Sequence, residues 1–475
     1  MALSTAIPRL IDLQSCRTDP LGFLRSAQSV SPDLVVISDQ GSIFSRAREC
    51  SGTVAAFGPE AVKEVLSDID LFGMAVSVAE AFSLPERLVR LNKGLFSMHG
   101  EEHRKHQQLL SPLLGANSVY RRAAEIAGGW DASQESLRPK EDTPLLEAMR
   151  RLVLQVTTKV LFGDGLELGR SIQSYFDQRR SLSGDSKRQT LDDRRKLIRT
   201  GISIERSLRT QLNRLRLEAR QYPDRAPCVL AELANSGDRV SWQPSDSELV
   251  AHGNVLFMSG SEPIAVSLAW VLLMLSQRPD LCLAVRQELG AAFGGGEIPH
   301  AVSETELPFL HKIILETHRV LPPNAIMVRL TTKPAKLLGH DLPAQCEVVL
   351  CPFVAHRDAG QYADPDRFIP QRWTDLQPRP FSYFPFGMGG RYCLGKSLAT
   401  AVLLSILARL LNRYEVVLAR DVDLDWKMDV TLMPASDPIV RFQPLMEQTA
   451  AIARGRLGGP VAKLVEILIP PLLKR

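Results

Sequence analysis

The stretch FPFGMGGRYCLGKSLATAVLL, residues 384–404, places one cysteine between a glycine-rich approach and a long apolar segment. Gly387, Gly389 and Gly390 allow the backbone to turn tightly and to approach a flat, bulky group. The apolar segment predicts a helix, with Cys393 in its first turn. Unpaired N–H groups and the helix dipole favour a thiolate at such a position.

Four roles are open for this cysteine: a nucleophile, half of a redox pair, a metal ligand, or a small buried side chain. A phosphate-binding loop is excluded, because G-x-G-x-x-G would need glycine at Tyr392 and no Gly-Lys-Ser/Thr follows at Walker spacing. The seven cysteines contain no C-x-x-C pair, which argues against a redox pair or a zinc ribbon. A thiolate beside Phe386 suits an iron ligand in a large planar cofactor, although a lone cysteine is usually inert.

Composition restricts the class of protein. The chain has 475 residues, 45% hydrophobic and 23% charged, which is typical of an ordered globular protein. A formal net charge of +4 is too small to indicate nucleic-acid binding. The odd number of cysteines indicates a reducing compartment, and we expect a cytoplasmic location. No signal peptide or transmembrane span is predicted, and the apolar run over 264–275 is expected to be a buried helix.

Hydrophobic periodicity predicts a mainly α chain with small β-sheets. The β-rich parts are expected at about 33–70 and 326–352, within a helical remainder. We predict one catalytic domain over 1–447 and a basic, amphipathic C-terminal extension over 448–475. This extension has three open roles: packing on the domain, peripheral membrane contact through 454–475, or partner binding.

Residues 386–395 resemble the haem-thiolate signature F-G-x-G-x-R-x-C-x-G of the cytochrome P450 superfamily, and all six fixed positions match. The resemblance extends in order over roughly 33–445. It implies the cytochrome P450 fold, a triangular helical prism around a buried haem b (iron protoporphyrin IX), with Cys393 as the iron ligand. The residues that it assigns to cofactor binding are Cys393, Phe386, Gly387, Arg391, Gly395, Arg329 and His103.

The resemblance also implies a structural ion network upstream of the cysteine. The segment ETHR supplies Glu316 and Arg319, and PQRW supplies Arg372. Alone, an E-x-x-R spacing is more often a surface ion pair of small effect. Here the three residues are expected to be buried and to fix the loop that precedes the cysteine. Removing one partner should cost roughly 3–5 kcal/mol and release haem.

Arg391, Arg329 and His103 match family positions that bind the two haem propionates. Four residues after His103 the family often has Arg or His, whereas this chain has Gln107. That departure leaves one fewer charge for the propionates. Arg104 or His106 are the candidates to compensate, and a plain polar helix face is the alternative.

The segment SGSEPIA, residues 259–265, resembles the family's distal pattern Ala/Gly-Gly-x-Asp/Glu-Thr, but proline replaces the threonine. Pro263 has no N–H, so the carbonyl of Ser259 should lose its helix bond and the helix should kink. Three routes can replace the threonine hydroxyl: Ser261 or an ordered water substitutes for it, the substrate's own hydroxyl donates the proton, or the enzyme performs less demanding chemistry. The alternative is that the proline only shapes the pocket. The predicted catalytic residues are Gly260, Ser261, Glu262 and Pro263.

The resemblance implies O₂-dependent hydroxylation, epoxidation or oxidative coupling of a lipophilic or mid-polarity small molecule, in secondary metabolism. Electrons are expected from a separate ferredoxin- or flavodoxin-type donor with its NAD(P)H reductase. Three alternatives are a haem-thiolate enzyme with peroxide-driven, rearrangement or coupling chemistry, a non-catalytic haem ligand-binding or sensor protein, and a helical scaffold with a structural Cys393. The predicted pocket segments are 72–98, 170–205, 252–260, 324–328 and 431–435.

Overall fold

The computed structural model describes residues 3–45, 47, 49–74, 84–134, 137–184, 190–222, 227–236, 242–445 and 454–465. Parts of the predicted pocket segments 72–98 and 170–205, and most of the predicted extension, lie outside these residues. The described residues are mainly helical with small sheets, which confirms the predicted fold class.

The helices are α1 (Leu13–Thr18), α2 (Pro20–Val30), α3 (Pro59–Ser67), α4 (Glu86–Leu91), α5 (Gly100–Leu114), α6 (Ala116–Arg121), α7 (Ala123–Ser133), α8 (Leu145–Phe162), α9 (Leu166–Gly184), α10 (Leu191–Gln221), α11 (Val229–Ala234), α12 (Asp246–Ser276), α13 (Pro279–Phe293), α14 (Pro308–Val320), α15 (Pro352–Ala355), α16 (Lys396–Arg413) and α17 (Gly459–Val465). The strands are β1 (Leu34–Ser38), β2 (Gly52–Ala56), β3 (Phe72–Met74), β4 (Thr143–Pro144), β5 (Met327–Thr331), β6 (Ala335–Leu337), β7 (His340–Leu342), β8 (Cys346–Leu350), β9 (Tyr414–Leu418), β10 (Val422–Asp423), β11 (Trp426–Met428), β12 (Leu432–Pro434), β13 (Ile439–Pro444) and β14 (Leu457–Gly458).

The long helix α12 runs through the core. It begins at a capping box, in which the side chains of Ser245 and Glu248 satisfy each other's backbone N–H groups. It continues through Pro263 to Ser276 without a break. Among the described residues it is the one helix long and apolar enough to cross a membrane, with a mean hydropathy of 1.6. Because 67% of that apolar window is buried within the protein, core packing accounts for its composition.

A five-stranded sheet in the order β1-β2-β8-β5-β3 lies beside the helical core. β2 and β8 are parallel, and the other neighbours are antiparallel. The register pairs Arg329 of β5 with Met74 of β3 and with Val348 of β8. Because β5 lies between β8 and β3, the backbone of Arg329 is held from both sides.

The cysteine loop ends later than the sequence predicts. Helix α16 begins at Lys396, with Gly395 at its N-cap, so Cys393 lies before the helix rather than in its first turn. That prediction was wrong because the residues after the cysteine first form a turn, in which the Lys396 N–H contacts the Cys393 carbonyl at 3.4 Å.

The described part of the predicted extension, 454–465, packs on the catalytic domain. Strand β14 pairs in parallel with β10, and Arg454 forms an ion pair with Glu415. Helix α17 buries Val461, Leu464 and Val465 in the main core. These contacts join 454–465 to the catalytic domain and support packing among the three open roles, and the boundary at residue 447 stays a prediction.

Candidate active site

The cysteine loop is closed by its own backbone. The Cys393 N–H donates to the Phe386 carbonyl at 2.9 Å, and the Gly387 N–H donates to the Phe384 carbonyl at 2.9 Å. Gly387 and Gly389 both have φ of +67°, a left-handed conformation that favours glycine. A Cβ at Gly389 would also lie 2.0 Å from the Leu66 carbonyl oxygen of α3. These glycines are therefore required for the turn that presents the cysteine.

The environment of the Cys393 thiol suits a metal ligand. The side chain keeps solvent-accessible surface, while the protein atoms packed around it remove part of its hydration, and this desolvation raises the pKa of the thiol. A hydrogen bond from the Gly395 amide and the charge of Lys396 act in the opposite direction. Both favour the thiolate, which is the form that binds iron, so metal binding should release a proton.

A buried chain of contacts that the sequence did not predict links the cysteine loop to α12. The ring of His318 lies edge-on to Phe386, with 5.5 Å between the ring centroids. His318 Nε2 lies 2.9 Å from Ser267 Oγ, which also donates to the Pro263 carbonyl at 2.8 Å. Burial lowers the pKa of His318 to about 4, so the ring is neutral. Since Ser267 donates to Pro263, His318 Nε2 carries the proton.

Glu316, Arg319 and Arg372 form the ion network that the resemblance implies. Arg319 donates from Nε and Nη2 to the two oxygens of Glu316, each at 2.9 Å, and Arg372 Nε donates at 3.1 Å. Glu316 also accepts from the Ile369 N–H and the Trp373 indole, both at 2.8 Å. Glu316 and Arg319 have no exposed surface.

The remaining donors of this network fix the loop before the cysteine. Arg319 Nη1 binds the carbonyls of His356 and Pro365 at 3.0 and 2.7 Å, and its Nη2 binds that of Arg367 at 2.7 Å. Arg372 Nη1 binds the Ala363 carbonyl at 2.7 Å. An irregular loop without its own ladder bonds is thus held by buried side chains.

Three cationic or cation-forming side chains have no acidic partner in the part of the chain that the structure describes. Within that part, Arg329 donates to the carbonyl of its neighbour Val328 at 2.9 Å. Arg391 donates to the carbonyls of Leu95 and Met98 at 3.4 and 2.6 Å, and its Nε is buried without a partner. Neither guanidinium forms an ion pair with a described carboxylate. His103 Nδ1 is likewise buried without a partner.

Burial and mutual repulsion make the charged forms of these three side chains less stable. Burial and then the charge of Arg391 lower the pKa of Arg329 to about 10, and burial lowers that of Arg391 to about 10. Burial and then Arg391 lower the pKa of His103 to about 4. A buried Arg329 and a partly buried Arg391 beside the His103 imidazole fit the two propionates of a haem, because propionates supply the missing negative charge.

The residues around the predicted propionate helix have other roles. Gln107 Nε2 donates to the Gly390 carbonyl of the cysteine loop at 3.3 Å. Arg104 pairs with Asp70 at 3.2 Å on the surface. His106 lies 2.8 Å from His252 of α12 and 3.3 Å from Glu248. These contacts give Arg104 and His106 partners within the protein, and their compensation for Gln107 at the propionates stays a prediction.

On α12, Glu262 is fully engaged by arginines from two other helices. Arg150 of α8 binds both of its oxygens, with Nε to Oε2 at 3.0 Å. Arg180 of α9 lies 3.5 Å from Oε1 and also contacts Asp429 at 3.4 Å. Glu262 is only 2% exposed, whereas the side chains of Arg180 and Asp429 are 24% and 32% exposed. The carboxylate thus connects the core helix to partly exposed charges.

The other predicted catalytic residues surround this acid. Ser261 Oγ donates to the Phe257 carbonyl at 2.7 Å, so its proton is already used within α12. A Cβ built on Gly260 would have no atom within 4 Å, which shows that this face of the helix borders open space. Pro263 leaves the Ser259 carbonyl without its helix partner. The function of these residues in catalysis stays a prediction.

The cysteine loop, the open face of α12 and the two guanidinium groups without an acidic partner among the described residues together indicate a haem-thiolate protein. Comparison with known proteins agrees, because the cytochrome P450 family matches residues 38–440. This chain belongs to the cytochrome P450 family; it is an oxidoreductase of the monooxygenase class, and its cofactor is haem.

Similar proteins cover most of the chain at low identity. Cytochrome P450 137 of Mycobacterium tuberculosis is 27% identical, over 82% of this chain and 84% of the relative. Cyclooctatin synthase of Streptomyces melanosporofaciens is 24% identical, over 75% and 79%. A crystal structure of the cytochrome P450DA haem domain superposes with a TM-score of 0.76 at 18% identity, covering 93% of this chain and 98% of that one. This last likeness shows the fold.

Proposed function

We propose that this enzyme hydroxylates, epoxidises or oxidatively couples a lipophilic or mid-polarity small molecule of secondary metabolism. The observation that supports it most is the glycine-rich turn that presents Cys393, together with Arg391 and Arg329, which have only backbone carbonyls as partners among the described residues. Haem held by a thiolate supplies the oxidising chemistry with O₂ when bound. The relation to cyclooctatin synthase supports a biosynthetic role.

The protein residues contribute binding, orientation and proton handling. Arg329, Arg391 and His103 would hold the propionates, and the Gly395 amide would orient the sulfur of Cys393. On the other face, Arg150 and Arg180 hold the Glu262 carboxylate in a fixed orientation, and Arg180 connects it to the partly exposed Asp429. Gly260 leaves room on α12 for a small ligand.

We infer a separate electron donor of the ferredoxin or flavodoxin type, with its NAD(P)H reductase, in the cytoplasm. Such donors are acidic, and the cysteine side of this protein carries cations. Lys396 begins α16, and its ammonium lies 5.8 Å from the ring centroid of the exposed Tyr392. A cation at this surface would favour association with an acidic protein, and high salt should weaken it.

The reduced, CO-bound absorption spectrum tests the proposal. The purified protein should show the Soret band of thiolate-ligated haem, and Cys393→Ser should lose it. Absence of haem uptake would contradict the proposal. Product formation supported by ferredoxin and its reductase would then establish catalysis, whereas ligand-induced spectral shifts without any product would favour a ligand-binding or sensor protein.

Pro263 favours a second candidate, a peroxide-driven enzyme or one with rearrangement or coupling chemistry. No side-chain hydroxyl is present at 263, and the proton of Ser261 is donated to Phe257. Turnover with hydrogen peroxide in the absence of reductase would support this candidate. With reductase, Pro263→Thr should raise the fraction of NAD(P)H that yields product if a missing proton donor limits the reaction. An unchanged or lower fraction would indicate that the proline belongs to the mechanism or to the shape of the pocket.

A further inference from the structure

Arg179 lies where three of the predicted pocket segments meet. It is on α9, and its Nη1 donates to Asn92 Oδ1 at 2.6 Å. The same nitrogen lies 3.8 Å from the sulfur of Met258 on α12, one turn before Glu262. The guanidinium carbon is 5.7 Å from the ring centroid of Tyr175. Arg179 thus faces the core helix at the level of the distal pocket.

The charge of Arg179 is unmatched by the described residues. Its Nε is buried without a hydrogen-bond partner, and its Nη2 forms no hydrogen bond with a described residue. No described carboxylate lies within ion-pair distance of it. The next residue in the chain, Arg180, contacts Asp177, Glu262 and Asp429. Burial lowers the pKa of Arg179, yet a guanidinium stays protonated at neutral pH.

The two unused nitrogens lie on the edge of the guanidinium that binds carboxylates elsewhere in this protein. Arg150 holds Glu262, Arg319 holds Glu316 and Arg278 holds Asp280, each through Nε and Nη2. This geometry gives two parallel charge-assisted hydrogen bonds. In Arg179 only the opposite nitrogen, Nη1, is occupied.

Neighbouring side chains hold Arg179 in this orientation. Asn92 accepts from Nη1 and donates through Nδ2 to the Leu88 carbonyl at 2.7 Å and to the Tyr175 hydroxyl at 3.1 Å. The amide is therefore fixed by two further contacts. Arg179 is partly buried, and its Nε is fully buried. A preoriented cation with a buried, unpartnered donor is costly, and such a cost is expected where a ligand supplies the anion.

We propose that Nε and Nη2 of Arg179 bind a carboxylate of the substrate, so that the substrate class is an apolar small molecule that carries a carboxylate. This proposal rests on the proposed oxidation of a lipophilic small molecule, whose class it makes specific. Asn92 is a positioning residue, because it acts through Arg179.

Isothermal titration calorimetry of the haem-loaded enzyme with matched ligands tests the proposal. The probes are dodecanoic acid against 1-dodecanol, and abietic acid against abietinol. At least one acid should bind about 10- to 100-fold more tightly than its alcohol, as expected for a hydrogen-bonded charge pair. Arg179→Gln should remove this preference and leave the alcohol affinity unchanged, and Arg179→Lys should retain part of it.

A control variant separates this effect from general changes in charge. Arg170 is on the same helix but exposed and paired with Glu167, so Arg170→Gln should retain the preference for the acid. Loss of the preference in Arg170→Gln would assign it to the overall charge of the helix and overturn the proposal.

Three other results would also overturn it. They are equal affinity of acids and alcohols for the wild type, a preference that persists in Arg179→Gln, and loss of haem from that variant, which would make Arg179 a cofactor residue. Failure of the proposed function is distinct, since it is the absence of the thiolate band in the CO spectrum. An enzyme that shows this band but binds acids and alcohols equally would contradict the carboxylate proposal and leave the proposed function intact.

Discussion

The network around Glu316 is buried and the cations around Arg391 are buried or partly buried, but the two groups satisfy their charges differently. Glu316 is matched by Arg319 and Arg372, and both oxygens accept further hydrogen bonds from the chain. Arg391 and Arg329 have only backbone carbonyls as partners among the described residues. The first arrangement stabilises the polypeptide by itself, whereas the second is complete only with an external anion.

The largest expected effect comes from breaking the matched network. Glu316→Ala should lower the free energy of unfolding by about 3–5 kcal/mol, because it leaves two buried guanidinium groups without their acid. Haem should be lost as the loop before Cys393 loosens. Urea denaturation and haem content measure both. Glu60→Ala is the control, since Glu60 is 76% exposed and should change stability by less than about 0.5 kcal/mol. A similar loss in both variants would contradict the role of the network.

Substitution of a cation without an acidic partner should have a smaller effect, and this effect should be on haem affinity. Arg329→Met should weaken haem binding by about 2 kcal/mol, because a charged hydrogen bond to a propionate is lost. The haem-free polypeptide should be as stable as the wild type or more so, since a buried unpaired charge is removed. Haem transfer to an acceptor protein and urea denaturation of the haem-free form separate the two quantities. Lys336→Met, an exposed change in the same half of the chain, is the control. Destabilisation of the haem-free form would show that the charge is matched internally.

The buried pair His106–His252 gives the smallest effect and depends on pH. Burial and then His106 lower the pKa of His252 to about 3, from an ordinary value of 6.5. The unfolded chain therefore binds a proton between these values that the folded chain does not, so stability falls as pH falls from 6.5 towards 3. The slope from one such group is about 1.4 kcal/mol per pH unit.

His252→Gln should reduce this slope, measured as the free energy of unfolding at pH 6.5 and pH 5. The neighbouring groups that titrate or carry charge are His106 and Glu248, and both are retained in the variant. His300→Gln, at an exposed position, should leave the slope unchanged. Equal slopes in the wild type and His252→Gln would contradict a neutral buried histidine.

The sequence could predict those features whose residues lie close together along the chain. The glycines, Arg391 and Cys393 lie within ten residues, and each is constrained by the local turn, so the motif alone indicated the iron ligand. Glu316 and Arg319 are one helical turn apart, and the resemblance supplied Arg372. Helical and strand periodicity likewise gave a mainly α fold with small sheets, which the structure confirms.

Contacts between distant segments could not be predicted in the same way. Glu262 meets Arg150 across 112 positions because α8 packs on α12, and no local pattern encodes that packing. The same holds for Asn92 and Arg179, which are 87 positions apart. The predicted start of α16 at Cys393 was wrong, because hydrophobic periodicity does not define the residue at which a helix begins. Spacing can suggest that a charge is buried, but only the packed structure shows whether it has a partner.

The segment 454–465 has a consequence for synthesis on the ribosome. The Leu464 carbonyl accepts a hydrogen bond from the Phe368 N–H. The Leu457 N–H donates to Gln277 Oε1 at 3.2 Å. These contacts join residues separated by 96 and 180 positions along the chain. Packing around Phe368 and the end of α12 can therefore finish only after residue 465 has emerged from the exit tunnel. Until then that part of the nascent chain exposes apolar surface, and chaperones have a defined interval in which to bind it.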